Sequence, residues 1–323
     1  MKLNTSAAPH LRTKNSTKKV MIDVLIALIP ATIFAVWAFG LKALYIILLS
    51  TISAELLEFV TMRFLRKRKD FTPDFSASVT GLLLGLNLSL AVTWYHVLIG
   101  VLVAIILGKH VFGGLGQNIF NPALVGRVFL VVSFPIAMTT WDIPFNNTEL
   151  ITSATPLGLL ASSGPAEALQ NYSYMDMFLG KIPGSIGEIS ALALIIGFVY
   201  LVIRKRIKLM VPITYISSVF IMTGILWLIN PDSYATPLFH LLAGGLLLGA
   251  FFMATDMVTS PMTMKGQFVF GLGIGLLTVI IRVFGAFPGG VSFAILIMNA
   301  FVPLIDLWTK PRIYGTKLKG DVK

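Results

Sequence analysis

The residues of this chain with the clearest chemical potential are the hydroxyls of the run Thr152-Ser153-Ala154-Thr155-Pro156-Leu157-Gly158. Pro156 biases Thr155 away from the helical region, towards an extended backbone. Only small residues precede it, so the Thr155 hydroxyl stands clear of bulky neighbours. A reachable hydroxyl on a locally fixed backbone suits covalent modification as a phosphoester. A second reading needs no chemistry. Thr followed by Pro is a good helix start, with Thr as N-cap and Pro at the first helical position. Thr72-Pro73 and Thr236-Pro237 repeat the pair. From the seven residues alone capping is the stronger reading, and context has to decide.

Two further stretches carry polar groups in an otherwise apolar chain. One is Gly113-Gly114-Leu115-Gly116-Gln117-Asn118-Ile119-Phe120-Asn121-Pro122, the other Ala254-Thr255-Asp256-Met257-Val258-Thr259-Ser260-Pro261. Gly and Pro break helices, and broken backbone at membrane depth must be buried in protein or line a cavity. Asn118, Asn121, Thr255, Asp256 and Ser260 then offer hydrogen-bond groups to a planar polar ligand. These residue types equally well satisfy their own loop backbone. The glycines do not make a phosphate loop, because the Lys and the spacing are missing.

Ionisable residues give less. Glu55 and Glu58 share a helix face near Arg63, so partial pairing is expected; Glu55 is the deeper, and buried acids can serve cation paths. Lys109 and His110 fall at a helix end, where cations suit the dipole. Arg282 sits near the far end of its apolar run and could hold a phosphate group, meet a partner's acid, or snorkel to the surface. Nothing forms a hydrolytic triad or a paired-carboxylate site. Four scattered histidines and no cysteine argue against a protein-bound haem, zinc, thiolate cluster or disulfide.

The elements that position these groups are membrane helices. The 323 residues are 56% hydrophobic and 12% charged, about half the charge of a soluble domain. Apolar runs long enough to cross a bilayer recur at roughly 20–39, 41–62, 76–93, 95–112, 122–138, 186–203, 210–229, 238–254, 267–285 and 290–308. The first is long enough to span, so no cleavable signal peptide is expected. The net charge of +11 is no nucleic-acid signal, because 19 of the 25 basic residues fall in four clusters at span ends. Those clusters are Lys2 to Lys19, Arg63 to Lys69, Arg204 to Lys208, and Lys310 to Lys323. Basic clusters mark the cytoplasmic side. Ten crossings starting inside put all four clusters and both termini in the cytoplasm, and the segment 139–185, with Thr155, outside.

The chain also contains a repeat. Thr72-Pro73-Asp74-Phe75 with Gly81-Leu82-Leu83-Leu84-Gly85 matches Thr236-Pro237-Leu238-Phe239 with Gly245-Leu246-Leu247-Leu248-Gly249, eight of fourteen positions being identical at an offset of 164. Five spans per repeat is odd, so the halves run oppositely through the membrane, and such repeats place sites at their interface on interrupted helices. The expected organisation is an N-terminal tail and first five-helix repeat over 1–138, an extracytoplasmic loop over 139–185, and a second five-helix repeat with a cytoplasmic tail over 186–323.

The Ser-Ala-Thr-Pro-Leu-Gly run in an outer loop between spans five and six resembles that of the RnfD family, the membrane subunits of ion-translocating ferredoxin:NAD oxidoreductases called Rnf complexes. The NqrB subunit of the sodium-translocating NADH:quinone reductase is similar. The two broken stretches fit as well, and the resemblance covers the whole chain; without the long extra N-terminal region of the quinone-reductase protein, the Rnf family is the closer match. The resemblance implies FMN carried on Thr155 through a phosphoester. It implies a flavin transferase that sees an acid six residues before the acceptor, here Glu149 where Asp is common. It implies a second, non-covalent flavin (riboflavin), and Asn118, Asn121, Thr255, Asp256, Ser260 and Arg282 are the candidate contacts of that flavin or of the FMN. The expected partners are the lipid of a prokaryotic inner membrane and the other Rnf proteins, RnfA, RnfB, RnfC, RnfE and RnfG, with no nucleic acid and no metal. The resulting expectation is an all-α integral membrane protein of urea-transporter-like layout, acting as an electron-transfer flavoprotein within the complex. A small-solute channel or carrier of the same layout needs no cofactor and is the alternative, since fold alone does not choose.

Overall fold

The computed structural model describes residues 16–67, 72–145, 153–285 and 289–311. Glu149, Thr152, Lys2, Arg12, Lys14, Arg68, Lys69 and the basic residues beyond Pro311 lie outside the described residues. Among the described residues the regular structure is helical, with no β-strand. Five helices are long and apolar enough to cross a membrane, namely α1 (Thr17–Phe39), α2 (Leu41–Val60, running on as a π-turn to Leu65), α11 (Met210–Ile229), α14 (Met264–Phe284) and α15 (Val291–Thr309). Shorter apolar helices lie between them. These are α3 (Ser76–Leu86), α4 (Trp94–Leu102, continued as a π-helix over Val103–His110), α5 (Pro122–Ser133) and α10 (Ala191–Ile203). The chain is therefore an integral membrane protein that crosses several times.

Three runs that read as continuous spans, 76–93, 122–138 and 238–254, are interrupted. Helix α3 stops at Leu86, and residues 87–93 are non-helical, because the Asn87 amide donates back to the Leu83 carbonyl at 2.7 Å and closes the helix there. The run over 238–254 splits into α12 (Pro237–Leu242) and α13 (Leu246–Leu248, continued as a π-turn over Gly249–Met253). Between them Gly244 adopts φ 71°, a left-handed conformation that a side chain resists. The segment after α5 is a short α6 (Pro135–Thr139), since Pro135 cannot donate into the preceding helix. Three short helices lie between α6 and α10, namely α7 (Pro156–Ser163), α8 (Pro165–Asn171) and α9 (Tyr174–Leu179).

Small residues let the helices approach. A Cβ on Gly197 of α10 would lie 2.0 Å from the Ala27 carbonyl oxygen of α1, and one on Gly275 of α14 would lie 1.6 Å from Ser218 Oγ of α11. In lipid there is no hydrophobic drive between helices, so such close approach carries the association. Large apolar side chains such as Ile33, Trp37, Leu228 and Phe284 face outward, as a lipid-facing belt requires.

Helix α1 connects two chemically different ends. At its start, Asp23 binds Arg206 Nε at 2.5 Å and Arg204 at 3.3 Å, and Lys18 lies 5.1 Å from the centre of the Phe75 ring. At its finish, the Ala38 carbonyl accepts from Phe145 N at 2.8 Å, and Gly180 packs on Phe34. A 23-residue helix is about 34 Å long. Arg204 and Arg206, bound to Asp23, and the segment bearing Thr155 are therefore at opposite ends of the bundle.

Candidate functional site

Thr155 lies between an extended segment and α7, with φ −65° and ψ 160°. Its Oγ1 accepts a hydrogen bond from Gly158 N at 3.1 Å, so it is the N-cap of α7. Thr236 caps α12 in the same way through Phe239 N at 3.4 Å, and also contacts the Tyr174 hydroxyl at 2.6 Å. Thr72 caps nothing; α3 begins at Ser76, whose N–H is taken by Asp74 at 2.9 Å. The three Thr-Pro pairs are thus not equivalent.

What distinguishes Thr155 is the space beside it. Thr155, Ser153 and Gly158 line a cavity of about 330 Å³, within the range of small-molecule sites. A Cβ at Gly158 would come 3.2 Å from Thr155 Oγ1, so this glycine keeps one flank of the hydroxyl clear. The walls are apolar, including Val131, Met138, Trp141 and Ile189. The floor is charged. Arg127 of α5 lies there 3.7 Å from Glu188 and donates a short hydrogen bond to Asn87 Oδ1 at the end of α3. Glu188 Oε2 is buried and makes no hydrogen bond. Gly245, at the break before α13, would place a Cβ 2.4 Å from that oxygen. A reachable hydroxyl, a ligand-sized apolar cavity and an unsatisfied polar group in it together fit a tethered aromatic group such as FMN.

The two broken stretches meet at the other end. Asn121 caps α5 through Ala123 N at 3.1 Å and donates to the Met253 carbonyl at 3.2 Å. Fully buried Asn299 of α15 accepts from Asn121 N at 3.3 Å and donates to the Thr259 carbonyl at 2.9 Å, tying the stretches together. Asn118, Asn121, Thr255 and Asp256 line one cavity there, and Ser260 lies outside its lining. Much of their polarity serves the local backbone. Thr255 donates to Phe251 O at 2.7 Å, and Asp256 accepts from Thr259 Oγ1 at 3.0 Å and from Val258 N. Asn118 Oδ1 is left buried without a partner. At about 100 Å³ this cavity is well below the size of a ligand site.

The remaining charged residues fall elsewhere. Glu58 pairs with Lys109, and Glu55 accepts from Ser78 Oγ at 2.7 Å. Arg66 closes the end of the α4 extension by donating to the His110 and Gly113 carbonyls. Arg282 is buried behind Gly244 on the Thr155 side, away from the Asn118 cavity, and donates to the His240 carbonyl at 2.5 Å. Arg127, Glu188 and Asp23 were not singled out by sequence. The signal was present, since each is an ionisable residue within an apolar run.

These features define a multi-pass helical membrane protein with a threonine-lined cavity at the end remote from Asp23, Arg204 and Arg206. The chain belongs to the NQR2, RnfD, RnfE family, whose pattern matches residues 4–315. It is 45% identical over 318 residues, 97% of this chain and 96% of the relative, to the D component of a proton-translocating ferredoxin:NAD(+) oxidoreductase complex from Clostridium ljungdahlii. It is 44% identical over 327 residues, 100% of this chain and 99% of the relative, to the D component of a Na(+)-translocating ferredoxin:NAD(+) oxidoreductase complex from Acetobacterium woodii. The D component of an ion-translocating oxidoreductase complex from Halorhodospira halophila is 37% identical over 342 residues, 97% of this chain and 96% of that one.

Proposed function

We propose that this chain is the membrane electron-transfer flavoprotein subunit of an Rnf-type complex, carrying FMN on Thr155 through a phosphoester. The relatives' names support the complex and its reaction, ferredoxin:NAD oxidoreduction linked to ion movement. The observation that carries the cofactor assignment is the Thr155 hydroxyl at the edge of a ligand-sized cavity.

The chain's own residues do the positioning. The N-cap geometry and Pro156 fix the Thr155 backbone, Gly158 leaves the hydroxyl accessible, and the α7 N-terminus favours the charge of a phosphoester. Val131, Met138 and Trp141 exclude water from the faces of a planar ring. FMN supplies reversible one- and two-electron chemistry when bound. Electrons reach this cavity from another protein of the complex and return inward through this one.

The layout we propose is ten crossings in two inverted five-helix repeats. It is supported by corresponding packing in the two halves, α2 on α3 and α4 in one, α11 on α12 and α14 in the other. Both termini then lie in the cytoplasm and Thr155 outside, the other Rnf proteins surround the bundle, and a flavin transferase modifies Thr155 during maturation. The carrier alternative has no comparable support among the relatives. The full chain, made in cells that contain the flavin transferase, is expected to run as a yellow-green fluorescent band on a denaturing gel. A colourless band refutes the assignment.

A further inference from the structure

The outer cavity contains a charged pair that neither helix packing nor the capping of Thr155 uses. Arg127 Nη1 and Glu188 Oε2 are 3.7 Å apart, an ion pair that is too long for a hydrogen bond. Each is anchored by its other contacts. Arg127 donates to Asn87 Oδ1, and Asn87 is held by its own bond to Leu83 O at 2.7 Å. Glu188 Oε1 accepts from Ser185 N at 3.3 Å. Glu188 Oε2 is left with no donor, although the residue is only 8% exposed and lines the cavity. A buried carboxylate oxygen without a donor is expensive to maintain in an apolar setting. Gly245 packs closely on this pair, since a Cβ there would fall 2.4 Å from Oε2 and 3.6 Å from Arg127 Nη1, so only a glycine fits beside the carboxylate.

The open valences define a ligand edge. Oε2 lacks an N–H donor, and the guanidinium beside it can donate to a carbonyl. An imide, with its N–H flanked by carbonyls, presents these groups at this spacing. Resting on the reading that Thr155 carries a flavin, we propose that Glu188 and Arg127 hold the imide edge of the tethered ring. Glu188 accepts the imide N–H, and Arg127 donates to the adjoining ring carbonyl. The apolar walls cover the ring faces.

The pairing has an electrostatic consequence. Reduction of the ring by two electrons and one proton leaves one net negative charge near the imide. In a titration the electrons come from the added reductant and the proton from solvent. Arg127 stabilises that charge and Glu188 opposes it, and in a water-poor site both effects are large. Arg127→Met is expected to shift the equilibrium towards the oxidised ring at least tenfold, about 30 mV downward for a two-electron couple. Glu188→Gln is expected to shift it upward by a similar factor. Arg127→Lys keeps the charge and gives a smaller shift than Arg127→Met.

The experiment is a spectroscopic redox titration of the purified full chain and its three variants, each first checked for a fluorescent band on a denaturing gel. Fluorescent bands with opposite shifts for Arg127→Met and Glu188→Gln support the pair. Fluorescent bands with unmoved potentials, or with both shifts of one sign, overturn this inference and leave the Thr155 assignment standing. A colourless wild-type band overturns both. Should Arg127→Met fail to fold, Arg127→Lys and Glu188→Gln carry the same comparison.

Discussion

Lys109 Nζ lies 2.8 and 2.6 Å from the two carboxylate oxygens of Glu58 and 2.6 Å from Ser76 Oγ, so its three protons have three acceptors inside the bundle. Both charged residues are buried, Lys109 at 2% exposure and Glu58 at 4%. The pair joins α2 to the π-helical extension of α4 across 51 residues of sequence.

A buried ion pair contributes little relative to an apolar pair, but breaking it leaves an uncompensated charge. Lys109→Met is expected to destabilise the protein by about 3–5 kcal/mol. Adding Glu58→Gln should recover most of that loss. Thermal unfolding in detergent measures both. A single variant as stable as wild type, or a double variant no better than the single, contradicts the ion-pair account.

Helix contact through glycine gives a second test. At Gly197 a methyl group would meet the Ala27 carbonyl at 2.0 Å, and backbone cannot step aside as a side chain can. Gly197→Ala is expected to cost about 1–3 kcal/mol by forcing α1 and α10 apart. At Gly224 of α11 the nearest atom is Pro237 Cγ at 3.5 Å, an ordinary contact. Gly224→Ala should therefore be neutral or slightly stabilising, as Ala is the better helix former. Equal melting temperatures for the two variants count against packing as the reason for Gly197.

The membrane class, the helical segments and the two broken stretches were legible in the sequence because composition and Gly/Pro punctuation are local signals. Helix breaks at Asn87 and Gly244 were not, since apolar runs continue through both positions. The repeat was visible, yet its glycines serve different ends. Gly81 and Gly85 let α3 approach Ser50 of α2, whereas Gly245 makes room for Glu188 and Arg127. Thr155 could be singled out by its neighbours, but the cavity beside it could not. Its floor unites Arg127, Glu188 and Gly245, which are far apart in the chain and carry no shared motif. Lys109 likewise read as a helix-end cation because its partner is distant in sequence.

The proposed orientation can be tested at the two ends of α1. Basic residues such as those around Asp23 favour the cytoplasm, so the orientation we propose puts the other end of the bundle outside. The chain has no cysteine, so single cysteines report access without background. Ala154→Cys, at an exposed position, should react with an impermeant thiol reagent from outside intact cells. Lys205→Cys, also exposed, should react only after the membrane is opened. The reverse pattern would overturn the orientation and the electron route with it.

Thr155 itself separates the capping and acceptor roles, which coexist in this geometry. Thr155→Val keeps the size and shape but removes Oγ1, and with it the bond from Gly158 N. As a cap alone, the loss is about 0.5–2 kcal/mol and flavin content is unchanged. As the acceptor, Thr155→Val abolishes covalent flavin in this chain and electron flow through the complex, while the chain still inserts. Thr155→Ser retains a hydroxyl in the same place and should keep part of the modification. Thr236→Val is the matched control, because Thr236 caps α12 and also bonds Tyr174; some stability should go while covalent flavin stays. Thr72→Val, at a position that caps no helix, should change neither. In-gel fluorescence of the four variants reads the outcome directly. Persistent fluorescence in Thr155→Val moves the acceptor to a neighbouring hydroxyl, with Ser153, which also lines the cavity, the first to be replaced.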